Sequence, residues 1–401
     1  MKILLGHNYY RSSSPSGENL VYEMERDLLS RNGHTVSEFI RNSDTLSKEG
    51  IAGVIKGAAQ TPWNTFVAKD VKKRLVSEST DVLHVHNTFP MISPSVFWAA
   101  RGLSARVITL HNYRLFCANA IPMRGGNVCT ECLDKRSAAP AMRHGCYRNS
   151  RLATAPLAAN VALHRRMGTW QNQVDAFICL SNFQKELMID AGLPKHKVHV
   201  KPNFYPGMPE VKPWMARRPA VVFAGRLGAE KGVVTLLKAW RMWGVNAPEL
   251  RIVGDGPLRR ELEEMAEGLP VTFLGQLQME EAQREIAENM LQILPSEWFE
   301  GFPMVIREAF AFGTPAAVSN IGPLPSIVTK GLNGVVFEAS DAASLLAEVK
   351  GAWAAPDLLQ RLGVGARAEF ETKYTEQANY QQLQDIYKEA KDVAKFELSK
   401  R

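Results

Sequence analysis

Short apolar segments alternate with helical patterns along the whole chain, and this alternation restricts the fold more than any other feature of the sequence. The predicted strands of the first half are Lys2–Gly6, Asp81–His86, Arg106–His111, Asp175–Leu180 and Val198–Lys201. Those of the second half are Ala220–Ala224, Leu250–Val253, Val271–Leu274, Leu291–Leu294, Pro315–Val318 and Val335–Phe337. Most are apolar on both faces, as in parallel sheets that helices cover on both sides. The pattern therefore predicts an α/β protein with doubly wound parallel sheets.

A proline-rich segment, Phe204–Pro219, interrupts the alternation and predicts a linker between two similar halves. We expect one Rossmann-like domain at residues 1–205 and a second at residues 206–375, followed by a helix at residues 376–401. Ligands of such sheets bind at the carboxyl ends of the strands. Two facing domains are therefore expected to hold their ligands in a cleft between them.

The charge of the chain is +7 at pH 7, and it is unevenly distributed. No acidic residue lies between Asp134 and Asp175. The basic residues of that stretch include Lys135, Arg136, Arg143, Arg148, Arg151, Arg165 and Arg166. Such a field favours an anionic partner, either nucleic acid or acidic lipid, although a solvated basic face is the general alternative. No apolar run approaches the ~20 residues that span a bilayer, and the first residues lack a signal-peptide cleavage pattern, so we expect a cytoplasmic protein.

The segment Glu300-Gly-Phe-Pro-Met-Val-Ile-Arg-Glu308 is typical of a site for a sugar nucleotide. Pro303 suits the first position of a helix, because its missing N–H would have no partner there in any case, and Gly313 suits the helix end. Free backbone N–H groups at a helix start bind anions. A phosphate at this start would lie beside carboxylates that accept hydrogen bonds from sugar hydroxyls.

Three further loops follow predicted strands. Arg226 and Lys231 lie in a glycine-containing turn between a strand and a helix, the context of a phosphate cradle. Gly254 begins a Gly-Asp-Gly-Pro turn, which taken alone is more often structural. His111 ends a strand and is expected to point into the cleft. Ser16-Gly17 precedes the first helix and is interpreted either as a phosphate or acceptor loop or as a plain N-cap.

Four of the five cysteines lie close together in an insertion at about residues 113–150. They are Cys117, Cys129, Cys132 and Cys146, separated by 11, 2 and 13 residues. Four soft ligands suit tetrahedral zinc, and a bound metal ion would allow a segment with so little apolar content to fold. The sequence predicts a structural zinc site, with free thiols in an insertion as the alternative.

Over nearly its whole length the chain resembles the family-4 retaining glycosyltransferases. Glu300 to Glu308 resembles the family's E-x7-E element, and Arg226 and Lys231 match its diphosphate-binding arginine and lysine. His111 matches the active-site histidine. Ser16 replaces the first of two glycines in the N-terminal loop. The cysteine insertion is similar to that of a subset of the family whose members share the sequence His-Asn-Tyr-Arg.

The resemblance implies a GT-B fold, an N-terminal acceptor domain, a C-terminal donor domain and a final helix that crosses back to the first domain. It implies transfer of a hexose from a UDP- or GDP-sugar with retention at the anomeric carbon, without a catalytic cofactor or metal. The expected catalytic residues are His111, Arg226, Lys231 and Glu300. The expected donor-binding residues are Arg226, Lys231, Gly254, Gly301, Phe302, Pro303, Met304 and Glu308.

The acceptor is expected to be a saccharide, lipid-linked, in surface polysaccharide assembly at the inner face of a membrane. The apolar segment Leu152–Trp170 is interpreted either as a helix on an anionic membrane surface or as an ordinary packed helix. Alternative functions are another GT-B enzyme, such as an epimerase or a phosphorylase, and a non-catalytic nucleotide-sugar-binding protein. A nucleic-acid partner is not expected, because only Tyr147 and Trp170 accompany the basic residues and base stacking would be poor.

Overall fold

The computed structural model describes residues 1–10 and 17–399, which fold into two compact units. The first unit contains residues 1–122, 129–202 and the chain from Tyr380 onward. The second contains residues 123–128 and 203–379. The chain thus passes between the units close to the predicted linker, and its last helix belongs to the first unit. Among the described residues, no helix combines the length and apolarity that crossing a membrane requires.

Fourteen strands and eighteen α-helices are present among the described residues. In chain order the strands are β1 (Lys2–Tyr9), β2 (Thr35–Asn42), β3 (Val82–Val85), β4 (Ala105–Leu110), β5 (Met123–Arg124), β6 (Asn127–Val128), β7 (Ala176–Cys179), β8 (Val198–Val200), β9 (Arg218–Ala224), β10 (Glu249–Val253), β11 (Val271–Gly275), β12 (Asn289–Leu294), β13 (Ala316–Ser319) and β14 (Gly334–Phe337).

The α-helices connect or follow the strands. They are α1 (Gly17–Arg31), α2 (Asp44–Lys48), α3 (Gly50–Gln60), α4 (Thr65–Glu78), α5 (Ser95–Ala99), α6 (Glu131–Asp134), α7 (Ala139–His144), α8 (Arg151–Arg166), α9 (Thr169–Asn172), α10 (Asn182–Asp190), α11 (Val233–Trp243), α12 (Arg259–Met265), α13 (Met279–Glu288), α14 (Met304–Ala311), α15 (Leu324–Ile327), α16 (Ala342–Trp353), α17 (Pro356–Lys373) and α18 (Glu376–Ser399).

Each unit is built on a six-stranded parallel sheet. The strand order of the first sheet is β2-β1-β3-β4-β7-β8, and that of the second is β11-β10-β9-β12-β13-β14. The predicted α/β class is therefore confirmed, and all eleven predicted strands are present. The sequence prediction missed β2, an edge strand whose residues are mostly exposed or half-buried, and the short hairpin of β5 and β6.

The strand order creates a crevice in each sheet where neighbouring connections run in opposite directions. In the first sheet, β1 lies between β2 and β3. In the second, β9 lies between β10 and β12. Ligands of open α/β sheets bind at such switch points, beyond the carboxyl ends of the strands. Functional side chains are therefore expected on the loops that follow β1, β3, β9 and β12.

The final helix completes the core of the first unit. Leu383, Ile386 and Tyr387 of α18 are almost fully buried in a cluster with strand residues such as Ile3 and Val107. The apolar positions of α18 recur every three or four residues, so one face of the helix covers the sheet. The first sheet is therefore closed by residues that lie far away in the sequence.

Helix α8 is an ordinary packed helix on one face, in agreement with one of the two interpretations of Leu152–Trp170. Thr154, Leu157, Ala158 and Val161 are buried. The exposed large apolar residue at its start is Leu152, which is 89% exposed. The buried face of α8 therefore packs in the core, whereas Leu152 is open to solvent.

Candidate functional site

The switch point of the second unit brings together two predicted catalytic residues. Lys231 follows β9 and Glu300 follows β12, and the Lys231 Nζ lies 2.7 Å from Glu300 Oε1. Only 7% of the Glu300 side chain and 19% of the Lys231 side chain are exposed. The sequence predicted one residue for the diphosphate and the other for the sugar. The structure shows in addition that they form an ion pair.

Glu300 is held by more than the lysine. Its Oε1 also accepts hydrogen bonds from Ser296 Oγ at 2.6 Å and from Trp298 Nε1 at 3.0 Å. A carboxylate oxygen that accepts three hydrogen bonds is a poor nucleophile, because its lone pairs are engaged. The geometry therefore favours a positioning role for Glu300 over covalent catalysis.

Close backbone approaches shape the loop that carries Arg226 and Lys231. A Cβ on Gly254 would lie 1.9 Å from the Gly225 carbonyl oxygen, and a Cβ on Gly232 would lie 1.9 Å from that of Pro295. Both glycines have positive φ, +130° and +69°. Gly254 thus allows the loop after β10 to lie directly against the loop that carries Arg226 and Lys231. Gly232 allows the loop that carries Arg226 and Lys231 to lie directly against the loop after β12. Both positions require glycine because any side chain would collide with backbone.

Arg226 is exposed at this loop, and its side chain makes no hydrogen bond or ion pair within the described part of the chain. Its backbone is nevertheless fixed, since Gly228 N donates to its carbonyl at 3.0 Å. An exposed guanidinium on a fixed turn suits an anionic ligand. The same arrangement also occurs at plain surface arginines.

The start of α14 is uncapped. Pro303 occupies the N-cap position, one residue before the predicted position inside the helix, and no side chain caps the helix. Helix starts commonly leave N–H groups for a ligand when no cap is present. Phe302 is buried beside it and packs against Tyr374. Gly313 follows the helix with φ +64°, as predicted for a helix end.

Glu308 lies in the middle of α14 and is 9% exposed. Burial raises the pKa of its carboxyl, whereas Arg307 and a hydrogen bond with Gln283 act in the opposite direction. The Arg307 Nη2 lies 3.2 Å from Glu308 Oε1, and the same guanidinium donates to the Phe204 carbonyl. Glu308 is therefore held in one position by a buried arginine.

A chain of polar residues lies at the switch point of the first unit. His86 Nδ1 is 3.0 Å from His111 Nε2, and His86 Nε2 is 3.1 Å from Glu25 Oε1. Lys201 Nζ is 2.7 Å from Glu25 Oε2. His111 directly follows β4 and lines a cleft with residues that include Asn112 and Arg114. The predicted position of His111 at the carboxyl end of a strand is thus confirmed.

Sequence reasoning missed Glu25 and Lys201 and gave His86 little weight. The available signal was Glu25 itself, a carboxylate among the buried positions Tyr22, Leu28 and Leu29 of an amphipathic helix. His84 and His86 are spaced two apart on one strand and share a face, and both contact Glu25 Oε1, at 3.2 and 3.1 Å. Ser16 falls outside the described residues, and Gly17 is the first residue of α1.

The four predicted zinc ligands all carry free thiols. Burial raises the pKa of the Cys117 thiol to about 12, and Cys132 and Cys146 contribute to the increase. Burial also raises the pKa of the Cys132 thiol, and Cys146 and Cys129 contribute to that increase. The four thiols are therefore neighbours. They are not gathered as closely as a preformed metal site requires, because among the described residues only Glu25, His84 and His86 place three ligand atoms within 4.8 Å of one another.

Two family models match consecutive parts of the chain and together cover most of it. Residues 17–206 match the model described as Glycosyltransferase Family 4, and residues 208–369 match the one described as Glycosyl transferases group 1. Among curated relatives, the sulfoquinovosyl transferase SQD2 of Arabidopsis thaliana is 30% identical over 159 residues, which are 38% of this chain and 30% of the relative. The alpha-D-kanosaminyltransferase of Streptomyces kanamyceticus is 29% identical over 178 residues, 43% of this chain and 46% of the relative. The chain thus spans half the length or less of these relatives.

Solved structures share the fold over the whole chain. The Anabaena protein HepE in complex with UDP superimposes with a TM-score of 0.66 at 18% identity, over 96% of this chain and 99% of HepE. Sucrose-phosphate synthase of Thermosynechococcus elongatus gives a TM-score of 0.64 at 17% identity, over 96% and 98% of the two chains. By its two family models the chain is similar to the group 1 glycosyltransferases, and its fold is the GT-B architecture.

Proposed function

We propose that this protein is a retaining glycosyltransferase that moves a sugar from a nucleotide-sugar donor to a saccharide acceptor. The observation that carries the proposal is the Lys231–Glu300 pair at the switch point of the second unit, beside the glycine-shaped loop that carries Arg226. A sugar nucleotide needs cations for its diphosphate and carboxylates for its hydroxyls. Both kinds of group occur here on fixed loops.

The difficult step is the departure of a nucleoside diphosphate with new negative charge. Arg226, Lys231 and the amides at the start of α14 stabilise that charge without reorganising, which lowers the barrier. Glu300 binds hydroxyls of the transferred sugar, and Glu308 binds those of the ribose. His111 contacts a sugar bound at the first unit.

Retention is proposed from the family resemblance together with the donors around Glu300. The acceptor oxygen attacks the anomeric carbon on the face from which the diphosphate leaves, so that one carbon–oxygen bond forms as the other breaks. The departing phosphate takes the proton of the acceptor hydroxyl. This route needs no enzyme nucleophile, which agrees with a carboxylate whose Oε1 has three hydrogen-bond donors.

The donor is proposed to be a UDP- or GDP-sugar. HepE, which shares the fold, has been crystallised with UDP and with UDP-glucose. The test is a thermal-shift panel of UDP, GDP, ADP and their sugars, because a ligand that binds only the folded state raises the melting temperature. We expect one base to raise the melting temperature by several degrees. A panel in which no nucleotide stabilises the protein would remove the assignment.

The acceptor is proposed to be lipid-linked, with the first unit touching an anionic membrane through α3. Ile51, Val54 and Ile55 of this helix are 81%, 65% and 65% exposed, while its buried face consists of Gly53 and Gly57. Apolar side chains on the solvent side of a helix, packed against the acid-free segment through α8, suit an anionic bilayer.

Vesicle co-sedimentation tests the membrane contact. We expect binding to phosphatidylglycerol vesicles at low salt, weaker binding to phosphatidylcholine, and a loss of binding when Ile51, Val54 and Ile55 are all changed to serine. Val245→Ser is the matched control, because Val245 is 93% exposed in the second unit. Equal binding of the triple variant and the control would refute a role for α3.

A structural zinc ion is proposed for Cys117, Cys129, Cys132 and Cys146. The support is their proximity in a segment whose only strands are the two-residue β5 and β6, although the thiols must approach one another further to bind a metal. Zinc would link the ends of the insertion and take no part in the transfer. We expect about one zinc per chain by mass spectrometry of purified protein and a lower melting temperature after Cys132→Ser. Metal-free wild-type protein of unchanged stability in chelator would contradict the proposal.

A further inference from the structure

The polar chain behind His111 contains more groups than a buried histidine needs for stability. Three buried residues, Glu25, His86 and Lys201, connect in sequence to His111, with distances of 3.0, 3.1 and 2.7 Å along the chain. Each of the three is at most 3% exposed. Hydrogen bonds in such a setting are strong and determine which atom carries each proton.

The positions of the protons in this hydrogen-bonded series follow from its charged end, which is formed by Glu25 and Lys201. Burial alone would raise the pKa of Glu25, but the Lys201 ammonium and a hydrogen bond from His86 hold it well below its usual range, so the carboxyl is ionised. An ionised carboxylate only accepts hydrogen bonds. His86 must therefore donate from Nε2 to Glu25.

The other nitrogen of His86 then decides the state of His111. Lys201 already neutralises Glu25, so a second cation on His86 would be buried without a counter-charge. A neutral His86 that donates from Nε2 can only accept at Nδ1. His111 must consequently donate from Nε2, and its own Nδ1 becomes a hydrogen-bond acceptor.

The ring of His111 is available to a ligand at that acceptor atom. Within the described part of the chain, Nδ1 of His111 makes no hydrogen bond, and the residue is half-buried in the cleft with Asn112, Arg114 and Asn160. Burial lowers the pKa of His111 well below its usual range, so the ring is neutral. Asn160 Oδ1 and Arg114 Nε also lack partners there.

We propose that Glu25 and His86 are positioning residues that fix His111 in the Nε2–H tautomer, so that its Nδ1 accepts a hydrogen bond from a hydroxyl of the bound sugar. The inference rests on the proposed function, since it names the atom with which His111 meets a sugar. It assigns a role to two residues that never touch substrate. A histidine in the other tautomer would present a donor to the same hydroxyl and would require it to turn.

A metal ion on the same residues is a weaker explanation. Glu25, His84 and His86 do place three ligand atoms within 4.8 Å. However, Lys201 lies 2.7 Å from the carboxylate, and His84 Nδ1 is already 2.8 Å from the Tyr387 hydroxyl. A buried ammonium repels a cation, and the histidine lone pair is engaged. The cluster is therefore a hydrogen-bonded network and not a metal site.

Nitrogen-15 NMR of the histidine rings tests the tautomer without any need for turnover. In the wild-type protein we expect His111 to be protonated at Nε2. His86→Leu removes the acceptor and should shift His111 toward a mixture of tautomers. His86→Asn can place an amide oxygen near the lost Nδ1 and should restore most of the Nε2–H form. His164→Phe is the matched control, because His164 is equally buried in the same unit but bonds to Thr169 and Pro62. An Nδ1–H form in the wild type, or no change in His86→Leu, would overturn the proposal.

Activity supplies the second measurement. We expect His86→Leu to lower kcat by about 10- to 100-fold, as the loss of an orienting partner commonly does, and His86→Asn to recover a large part of it. Nucleotide binding by the second unit should be unchanged in both variants. If no nucleotide binds even the wild type, the proposed function fails while the tautomer result still stands. If nucleotides bind and the His86 variants turn over normally, only the positioning role fails.

Discussion

Replacing Lys231 with alanine is expected to lower kcat by about 10²- to 10³-fold, the usual loss when one preorganised donor to a developing anion is removed. The ammonium is held 2.7 Å from Glu300 Oε1 before any ligand arrives. A diphosphate that gains charge in the transition state would find this cation already in place. The effect should appear mainly in kcat, because the interaction strengthens as the leaving group departs.

Two further variants separate this role from a loss of structure. Lys231→Arg keeps the charge and should retain more activity than the alanine variant. Lys238→Ala removes an exposed lysine from the neighbouring helix α11 and should leave turnover unchanged. Steady-state kinetics with a labelled donor, together with the melting temperatures of all three proteins, provide the comparison. Wild-type turnover in Lys231→Ala would show that the diphosphate is bound elsewhere.

Replacing Glu308 with glutamine should weaken nucleotide binding by about 10- to 100-fold and change kcat little at saturating donor. The estimate reflects the 1.5–3 kcal/mol typical of hydrogen bonds to a charged group. Glutamine keeps the size of the side chain, so Arg307 stays covered. Isothermal titration with the nucleoside diphosphate measures the loss.

A donor without ribose hydroxyls identifies the partner of Glu308. The 2′,3′-dideoxy nucleotide should bind the wild type as weakly as the normal nucleotide binds Glu308→Gln, and the two changes together should cost little more than either alone. Burial raises the pKa of Glu308, so its ionised fraction and the affinity of the wild type should increase as the pH rises through that value. The glutamine variant should show no such dependence. Additive losses would place the ribose away from Glu308.

Much of the proposed donor site was predictable because its residues lie in short, continuous segments. Glu300 and Glu308 are separated by one turn and part of a helix, and Lys231 follows a strand that is apolar on both faces. The ion pair between Lys231 and Glu300 was not predictable, since it depends on β9 and β12 lying side by side. Sequence order alone does not give that neighbourhood.

The histidine cluster of the first unit was even less predictable from the sequence. Glu25, His86 and Lys201 come from a helix and two strands that are not consecutive, and periodicity only marks each as buried. The two interpretations of α8 could not be separated from the sequence for a related reason, because an apolar helix in sequence does not reveal which neighbour covers it. In the same way, the sequence does not show that the apolar face of α3 is exposed, because this depends on Gly53 and Gly57 forming the buried side of the helix.

The contribution of α18 to the first unit has a consequence for biosynthesis. Tyr387 closes the core and its hydroxyl lies 2.8 Å from His84 Nδ1, so the first sheet reaches its finished state only after α18 has left the ribosome. Until then the nascent chain keeps an apolar face without its cover. Fusion partners or truncations that prevent residues 380–390 from docking should therefore hamper maturation of the N-terminal part of the chain, although they alter none of its own residues.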